Sequence, residues 1–282
     1  MFDIYEAITS RIIDELEAGI IPWDKPWTGV QDGAISGATG KPYSLLNQML
    51  LRKAGRYYTF KQITERGGKV RKGEKSSMVV FWKQVKVTEQ DPYTGEEIAK
   101  LVPMLRYFNV WHEDQTEGMK IKTEPMPNEN PESIPAADDI ITAYTSREGI
   151  TLNNVKGDRA YYSPMLDVIV LSLIEQFPDM AEYYSTAYHE MTHSTGHKTR
   201  LNRIRATAHF GNEDYSKEEL TAEIGAAALM HHTGIETAKT FRNSTAYIQS
   251  WLKALRNDKR MIVHASGAAS KAVDYILTGA KA

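Results

Sequence analysis

The chain has 282 residues, a formal net charge of −2, 41% hydrophobic and 25% charged residues, and no cysteine. That composition fits a globular protein of one large or two ordinary domains, and it excludes disulfides, thiolate metal ligands and a cysteine nucleophile. No apolar run approaches the roughly 20 residues that span a bilayer, so no membrane partner is expected and a cytoplasmic setting fits.

The first nineteen residues mix acids with apolar positions at helical spacing. They read as an amphipathic helix stopped at Gly19, not as a secretion signal. Pro22-Trp23-Asp24-Lys25-Pro26-Trp27 cannot continue a helix, because its two prolines fix φ and remove donors. Residues 29–40 read as a loop, and a second helix is expected over Leu45 to Ala54. Thr59 followed by Gln62 forms a capping-box signature for a short helix ending at Gly67-Gly68. Ser77 to Val87 and Leu101 to Trp111 are rich in β-branched and aromatic residues. The turn residues Asp91 to Gly95 lie between them, which predicts a long hairpin.

Residues 121–139 hold four prolines and several acids, the composition of a linker. The expected organisation is a first domain over 1–122, a linker over 123–137 and a second domain over 138–282. In the second, Asp138 to Glu148 is helical in pattern, and Tyr161 to Ser163 and Val168 to Leu171 read as strands. A helix opens at Pro178 or Asp179 and runs to about Thr195, with Gly196 to end it. Further helices are expected over Ser216 to His232, Ser244 to Asn257 and Asp258 to Leu277. The fold class is α+β: an α/β N-terminal domain with a β-hairpin, then a mostly helical domain with a small sheet.

His189-Glu190-Met191-Thr192-His193 falls on the first long helix of that second half. Residues four apart share one helix face, so both imidazoles can aim at one ion. Glu190 is placed to act as general base toward a water held there. Zn2+ suits such a donor set, and another divalent metal is the alternative. The third ligand must come from elsewhere, and the downstream acids Glu219 and Glu223 supply a ligand and a partner that fixes a histidine tautomer. Ser216 and Glu219 also fit a capping box, in which case Glu223 would be the ligand. His197 is a rival at the wrong spacing. No group that would polarise a substrate carbonyl can be chosen from Tyr161, Tyr162, Tyr184 and Tyr188.

Charge is unevenly distributed. Residues 41–86 hold twelve Lys and Arg against two acids, whereas residues 123–282 hold sixteen against twenty. Four of the five tryptophans lie in the first 111 residues. Cations that track phosphates and rings that stack on bases are the composition of a single-stranded nucleic-acid binder. Trp82 and Trp111 are assigned to the core, and the prolines around Trp23 and Trp27 would present those rings. The candidate DNA-contacting set is Trp23, Lys25, Trp27, Lys41, Tyr43, Asn47, Lys61, Lys69, Arg71, Lys72 and Lys75.

These segments resemble the ArdC-type antirestriction family of mobile elements over nearly the whole chain. In the N-terminal half the resemblance rests on IIDELEAGIIPWDKPW, TGKPYSLLNQMLL, TFKQITERGGKVRKGEKSSMVVFWK and RYFNVW. In the C-terminal half it rests on YYSTAYHEMTHSTGHKTRL, EELTAEIGAAAL and YIQSWLKALRNDKRMIVHASGAASKAVDYIL. The resemblance implies an N-terminal single-stranded DNA-binding domain, a C-terminal zincin-like metalloprotease domain of gluzincin type, and protection of incoming plasmid or phage DNA from host restriction. It favours Glu219 as ligand and Glu223 as its partner. The partners it implies are single-stranded DNA and a protein substrate or host restriction enzyme. The competing reading is a non-catalytic DNA-binding protein whose metal site is structural.

Overall fold

The computed structural model describes residues 2–23, 33–51, 53–90, 97–119, 133–204, 213–235 and 245–280. Lys25, Trp27, the hairpin turn at 91–96 and residues 123–132 of the expected linker lie outside the described residues. The first element, α1 (Ile4–Glu17), is capped by Asp3, whose side chain accepts from the amides of Tyr5 and Glu6. Ile8, Ile12 and Leu16 repeat at helical spacing and are fully buried.

A four-stranded sheet follows, built from β1 (Ala34–Ser36), β2 (Gly55–Thr59) and the hairpin strands β4 (Ser77–Gln90) and β5 (Glu97–His112), in the order β1-β2-β5-β4. Between them come α2 (Leu45–Leu51), three residues shorter than expected, α3 (Phe60–Glu65), with the Thr59–Gln62 capping box formed, and β3 (Lys69–Val70). β3 pairs with β6 (Thr116–Glu117). The outer strands β1 and β4 each expose one row of backbone groups that need partners. Consecutive amides of α2 supply partners for one residue on each edge. Asn47 donates to the Val80 carbonyl and accepts from its N–H, both at 2.8 Å. Gln48 accepts from the Ala34 N–H at 2.7 Å and donates to its carbonyl at 2.8 Å. One short helix thereby holds both edges of the sheet.

The second half begins with α4 (Ser133–Glu148), five residues earlier than the sequence pattern indicated. Strands β7 (Thr151–Val155), β8 (Tyr161–Ser163) and β9 (Val168–Ser172) form a sheet of order β7-β9-β8, with β7 parallel and β8 antiparallel to β9. β7 was not anticipated, because TLNNV carries polar residues at three of its five positions. Four helices complete the chain: α5 (Met180–Thr195), α6 (Glu213–His232), α7 (Thr245–Asn257) and α8 (Met261–Thr278). No described helix is long and apolar enough to cross a membrane.

The largest core joins the two halves. Ile8, Ile12, Leu16 and Trp23 from the N-terminus, Leu46, Met49 and Leu50 from α2, and Val80 and Leu105 from the hairpin pack with residues of α6, α7 and α8. A second core lies between α4, the small sheet, α5, α6 and α8. Helices α6 and α8 contribute to both.

Two expected DNA contacts are corrected here. Trp23 is only 3% exposed and meets Trp251 edge-on at 5.1 Å, so its ring fills the shared core rather than facing a ligand. Asn47 is 1% exposed, and its amide is committed to the Val80 backbone. Trp82, assigned to the core, is instead more than half exposed, while Trp111 is half-buried against Phe60.

Asn47→Ala would leave two backbone groups of Val80 buried without partners. A loss of about 2–4 kcal/mol in unfolding free energy is expected, read from the denaturant midpoint. A loss under about 1 kcal/mol would show that water or a shifted strand replaces the amide.

Candidate metal centre

Helix α5 carries His189, Glu190 and His193. Asp179 caps its start by accepting from the Glu182 N–H at 2.9 Å, and Gly196 ends it. Helix α6 crosses it and brings three glutamates to the same place. The two helices are in close contact where Gly225 meets Thr192. A Cβ at Gly225 would lie 2.7 Å from the Thr192 side chain. Thr192 has no accessible surface, and its hydroxyl donates to the Tyr188 carbonyl at 2.8 Å. Only glycine permits this spacing.

The donors converge. His189 and His193 bring their Nε2 atoms to 3.0 Å. Glu219 Oε1 lies 3.4 Å from His193 Nε2, and its Oε2 lies 3.7 Å from His189 Nε2. A tetrahedral ion with bonds of about 2.0–2.2 Å places its ligand atoms about 3.3–3.6 Å apart, close to the separations in this trio. Two imidazole nitrogens this close also require a proton or cation between their lone pairs. His189, His193 and Glu219 therefore form a cluster that could hold a divalent metal ion.

The surroundings favour positive charge. Burial opposes a charge on His193, but hydrogen bonds to Glu218 and Glu219 and the field of Glu190 outweigh it and push its pKa up to about 10. Burial likewise works against the Glu219 carboxylate, yet the bonds from His189 and His193 hold it far below the usual carboxylate range. Glu223 Oε1 lies 3.5 Å from His189 Nδ1, where it can orient that ring.

The capping-box alternative for Glu219 is removed by the position of the helix start. α6 begins at Glu213, so Ser216 lies inside the first turn and Glu219 is free to face the histidines.

Glu218 was given no role from the sequence. His193 Nδ1 donates to its Oε1 at 3.1 Å, and Arg203 donates to both of its oxygens at 2.7 and 2.8 Å. Arg203 also reaches the Thr192 carbonyl at 2.8 Å and the Thr195 hydroxyl at 3.0 Å. Burial works against the Glu218 charge, but Arg203 and His193 keep its carboxyl below the ordinary range. Both ligand histidines thus have a carboxylate behind them, Glu223 for His189 and Glu218 for His193. The available signal was the three acids of EELTAE beside the basic stretch 200–205, but nothing in that spacing pairs Arg203 with Glu218.

The donors open into a cleft of about 400 Å3, lined also by Glu190, Tyr161, Tyr162 and Tyr215. Glu190 is 5% exposed and within the field of His193. Tyr162 donates to Asp167 at 2.7 Å and accepts from Arg200 at 3.0 Å, which fixes its hydroxyl. Tyr184 and Tyr188 are core residues. His197 sits beyond the end of α5 and meets the Thr199 hydroxyl at 2.8 Å, away from the cluster.

Of the remaining expected DNA contacts, Lys41, Lys61, Lys69, Arg71, Lys72 and Lys75 are all exposed, and Tyr43 is half-buried. Three of them pair with acids: Lys61 with Glu65, Lys69 with Glu117 and Arg71 with Glu74.

Comparison with known proteins gives two family matches along the chain. Residues 2–111 match the family model for the N-terminal domain of anti-restriction factor ArdC, and residues 136–268 match that for a zincin-like metallopeptidase. The chain is similar to the crystal structure of the antirestriction ArdC protein from the R388 plasmid. The metal-free form is 36% identical with a TM-score of 0.75, covering 98% of this chain and 97% of that one. The Mn(II)-bound form is 34% identical with a TM-score of 0.76 and the same coverage. Two DNA primase TraC proteins of Escherichia coli are 34% identical over 97% of this chain, which spans only 20% and 27% of their lengths. The uncharacterized protein y4eC of Sinorhizobium fredii is 31% identical over 97% of this chain and 91% of its own.

If the helix contact at Gly225 sets the site, the two helical glycines of α6 and α8 respond oppositely to alanine. Gly225→Ala is expected to cost about 1–3 kcal/mol by overpacking Thr192. Gly267→Ala, with nothing within 4 Å of the added methyl, is expected to stabilise by about 0.4–1 kcal/mol. Thermal unfolding of the two variants checks the pair, and equal effects would contradict the close approach.

Proposed function

The chain belongs to the ArdC family of antirestriction proteins, and from that premise we propose a protein with two activities. It binds single-stranded DNA through its N-terminal half, and it hydrolyses a peptide bond at the metal centre, so protecting incoming DNA from restriction. The observation that carries the hydrolytic reading is Glu190, a carboxylate kept inside the same cleft as His189, His193 and Glu219. A purely structural metal site has no use for a further buried acid facing the cleft.

His189, His193 and Glu219 would hold the ion, with Glu223 and Glu218 orienting the two histidines. Bound there, zinc or another divalent metal supplies Lewis acidity toward water and a substrate carbonyl. Glu190 accepts the proton of the attacking water and returns it to the leaving amine. β8 is an edge strand, and its Tyr161 and Tyr162 line the cleft. Such an edge offers unpaired N–H and C=O groups to an extended peptide, which suits a protein substrate. Arg203 keeps Glu218 charged against burial and ties it to the α5 backbone, so the His193 ring does not drift.

Glu190→Gln keeps the shape and removes the base. Cleavage of an unfolded protein substrate by the zinc-loaded chain is expected to fall by about 10²–10⁴ fold, with metal content and DNA binding unchanged. Unaltered cleavage would exclude Glu190 as the base. Transfer of unmodified DNA into a restricting host separates the roles, since protection surviving in Glu190→Gln would assign it to DNA coating.

For the DNA half, binding of a fluorescent single-stranded oligonucleotide to the full chain is expected to weaken with salt. The logarithm of the association constant should fall by about 0.7 per phosphate contacted for each decade of salt. No binding, or binding indifferent to salt, would remove this half of the reading.

A further inference from the structure

We infer that one face of the β4–β5 hairpin, marked by Phe81 and Phe108, is the platform on which this protein stacks the bases of single-stranded DNA. The inference rests on the DNA-binding reading above and gives it a location that the basic segment did not.

Directly opposed residues of an antiparallel pair share a face, and neighbours along a strand alternate. The register puts Val79, Phe81 and Lys83 of β4 opposite Phe108, Arg106 and Met104 of β5. The inner end of this face is buried, where Val79 and Val110 pack with Tyr43 at its side. Beyond that the rings are open to solvent, Phe81 at 45% and Phe108 at 50% exposure. The Phe81 ring lies 6.0 Å from Phe108 and 6.1 Å from Tyr43, so it adjoins a ring on either side.

Exposed rings on a long strand pair are an aggregation hazard unless a ligand covers them. The charges say which ligand. Lys83 and Arg106 are exposed on the same face, and residues 77–88 and 99–111 contain no acid at all. An apolar protein surface gains nothing from two cations beside the rings. A single strand answers both features: its bases cover the rings, and its phosphates meet Lys83 and Arg106. A duplex cannot, because its bases are already stacked. The opposite face is turned inward only at its base, where Val80 and Leu105 belong to the core with α1 and α2 and the Tyr107 ring meets Phe2 at 5.0 Å. Farther out it exposes Trp82, but of the strand cations only Lys86 lies on that side.

The test is equilibrium binding of a fluorescent single-stranded oligonucleotide to the full chain and its variants. Phe81→Ala/Phe108→Ala is expected to bind at least tenfold more weakly at fixed salt, with an unchanged salt slope. Both rings are half exposed, so the variant keeps its core, and unfolding curves verify this. Lys83→Gln/Arg106→Gln is expected to lower the salt slope by about 1–2. Phe81→Trp/Phe108→Trp restores binding, and Trp82→Ala, on the opposite face, stays within twofold of the parent. Duplex of the same sequence is expected to compete at least tenfold less well. Full binding by Phe81→Ala/Phe108→Ala, or an equal loss in Trp82→Ala, would overturn this face while leaving the DNA-binding reading intact. No binding by the parent chain would overturn both.

Discussion

The distance between α5 and α6 governs what the second half of this protein can do. It is set by a hydroxyl-bearing side chain against a bare backbone, Thr192 against Gly225. Two histidines on one helix can present two donors to an ion, but the third donor must come from another element. Its position is only as good as the packing between them. Arg203 adds a second tie, joining the Thr192 carbonyl on one helix to the Glu218 carboxylate on the other. A steric stop and an ionic clamp therefore fix one spacing from opposite sides. This is how a site built from long, flexible glutamates attains ligand-like separations.

The same helices reach into the N-terminal half. α6 and α8 contribute to both large cores, and the shared core holds α1, α2 and the base of the hairpin. α2 in turn supplies the amides that pair with Ala34 on one edge of the four-stranded sheet and Val80 on the other. The hairpin is thereby anchored at its base by hydrogen bonds and apolar packing, while its outer part stands clear of the core. A ligand on that outer part displaces no packed residue, which is the condition for a preformed binding face.

What the sequence made legible follows from how local each signal is. The histidine pair, the Asp179 and Gly196 ends of α5, the Thr59 capping box and the hairpin are all encoded within one turn or one strand. The failures are non-local. Trp23 was read as a presented ring because two prolines flank it, but its environment is set by Trp251, more than two hundred residues later. Trp82 was read as core because most tryptophans are, and its side of the strand is decided by pairing register. Asn47 looked like a polar contact for a ligand, yet its partner is a strand edge in its own chain. Glu219 could not be separated from a capping role until the start of α6 was known, three residues before Ser216. The pairing of Glu218 with Arg203 had no local signature.

The electrostatics of the two candidate sites keep their ligands apart. Around the cluster, Glu190, Glu218, Glu219 and Glu223 bring four negative charges and Arg203 one positive charge. A dication neutralises two of the three left over, so the occupied cleft remains negative. Such a cleft admits a neutral peptide backbone and repels a polyphosphate strand. The exposed hairpin face has the opposite character, with cations among rings and no acid nearby. On the proposed reading, nucleic acid drawn to the hairpin would not be drawn on to the metal centre. On this ground the proposed hydrolysis suits a peptide rather than the bound strand, and the two proposed activities would act on different molecules.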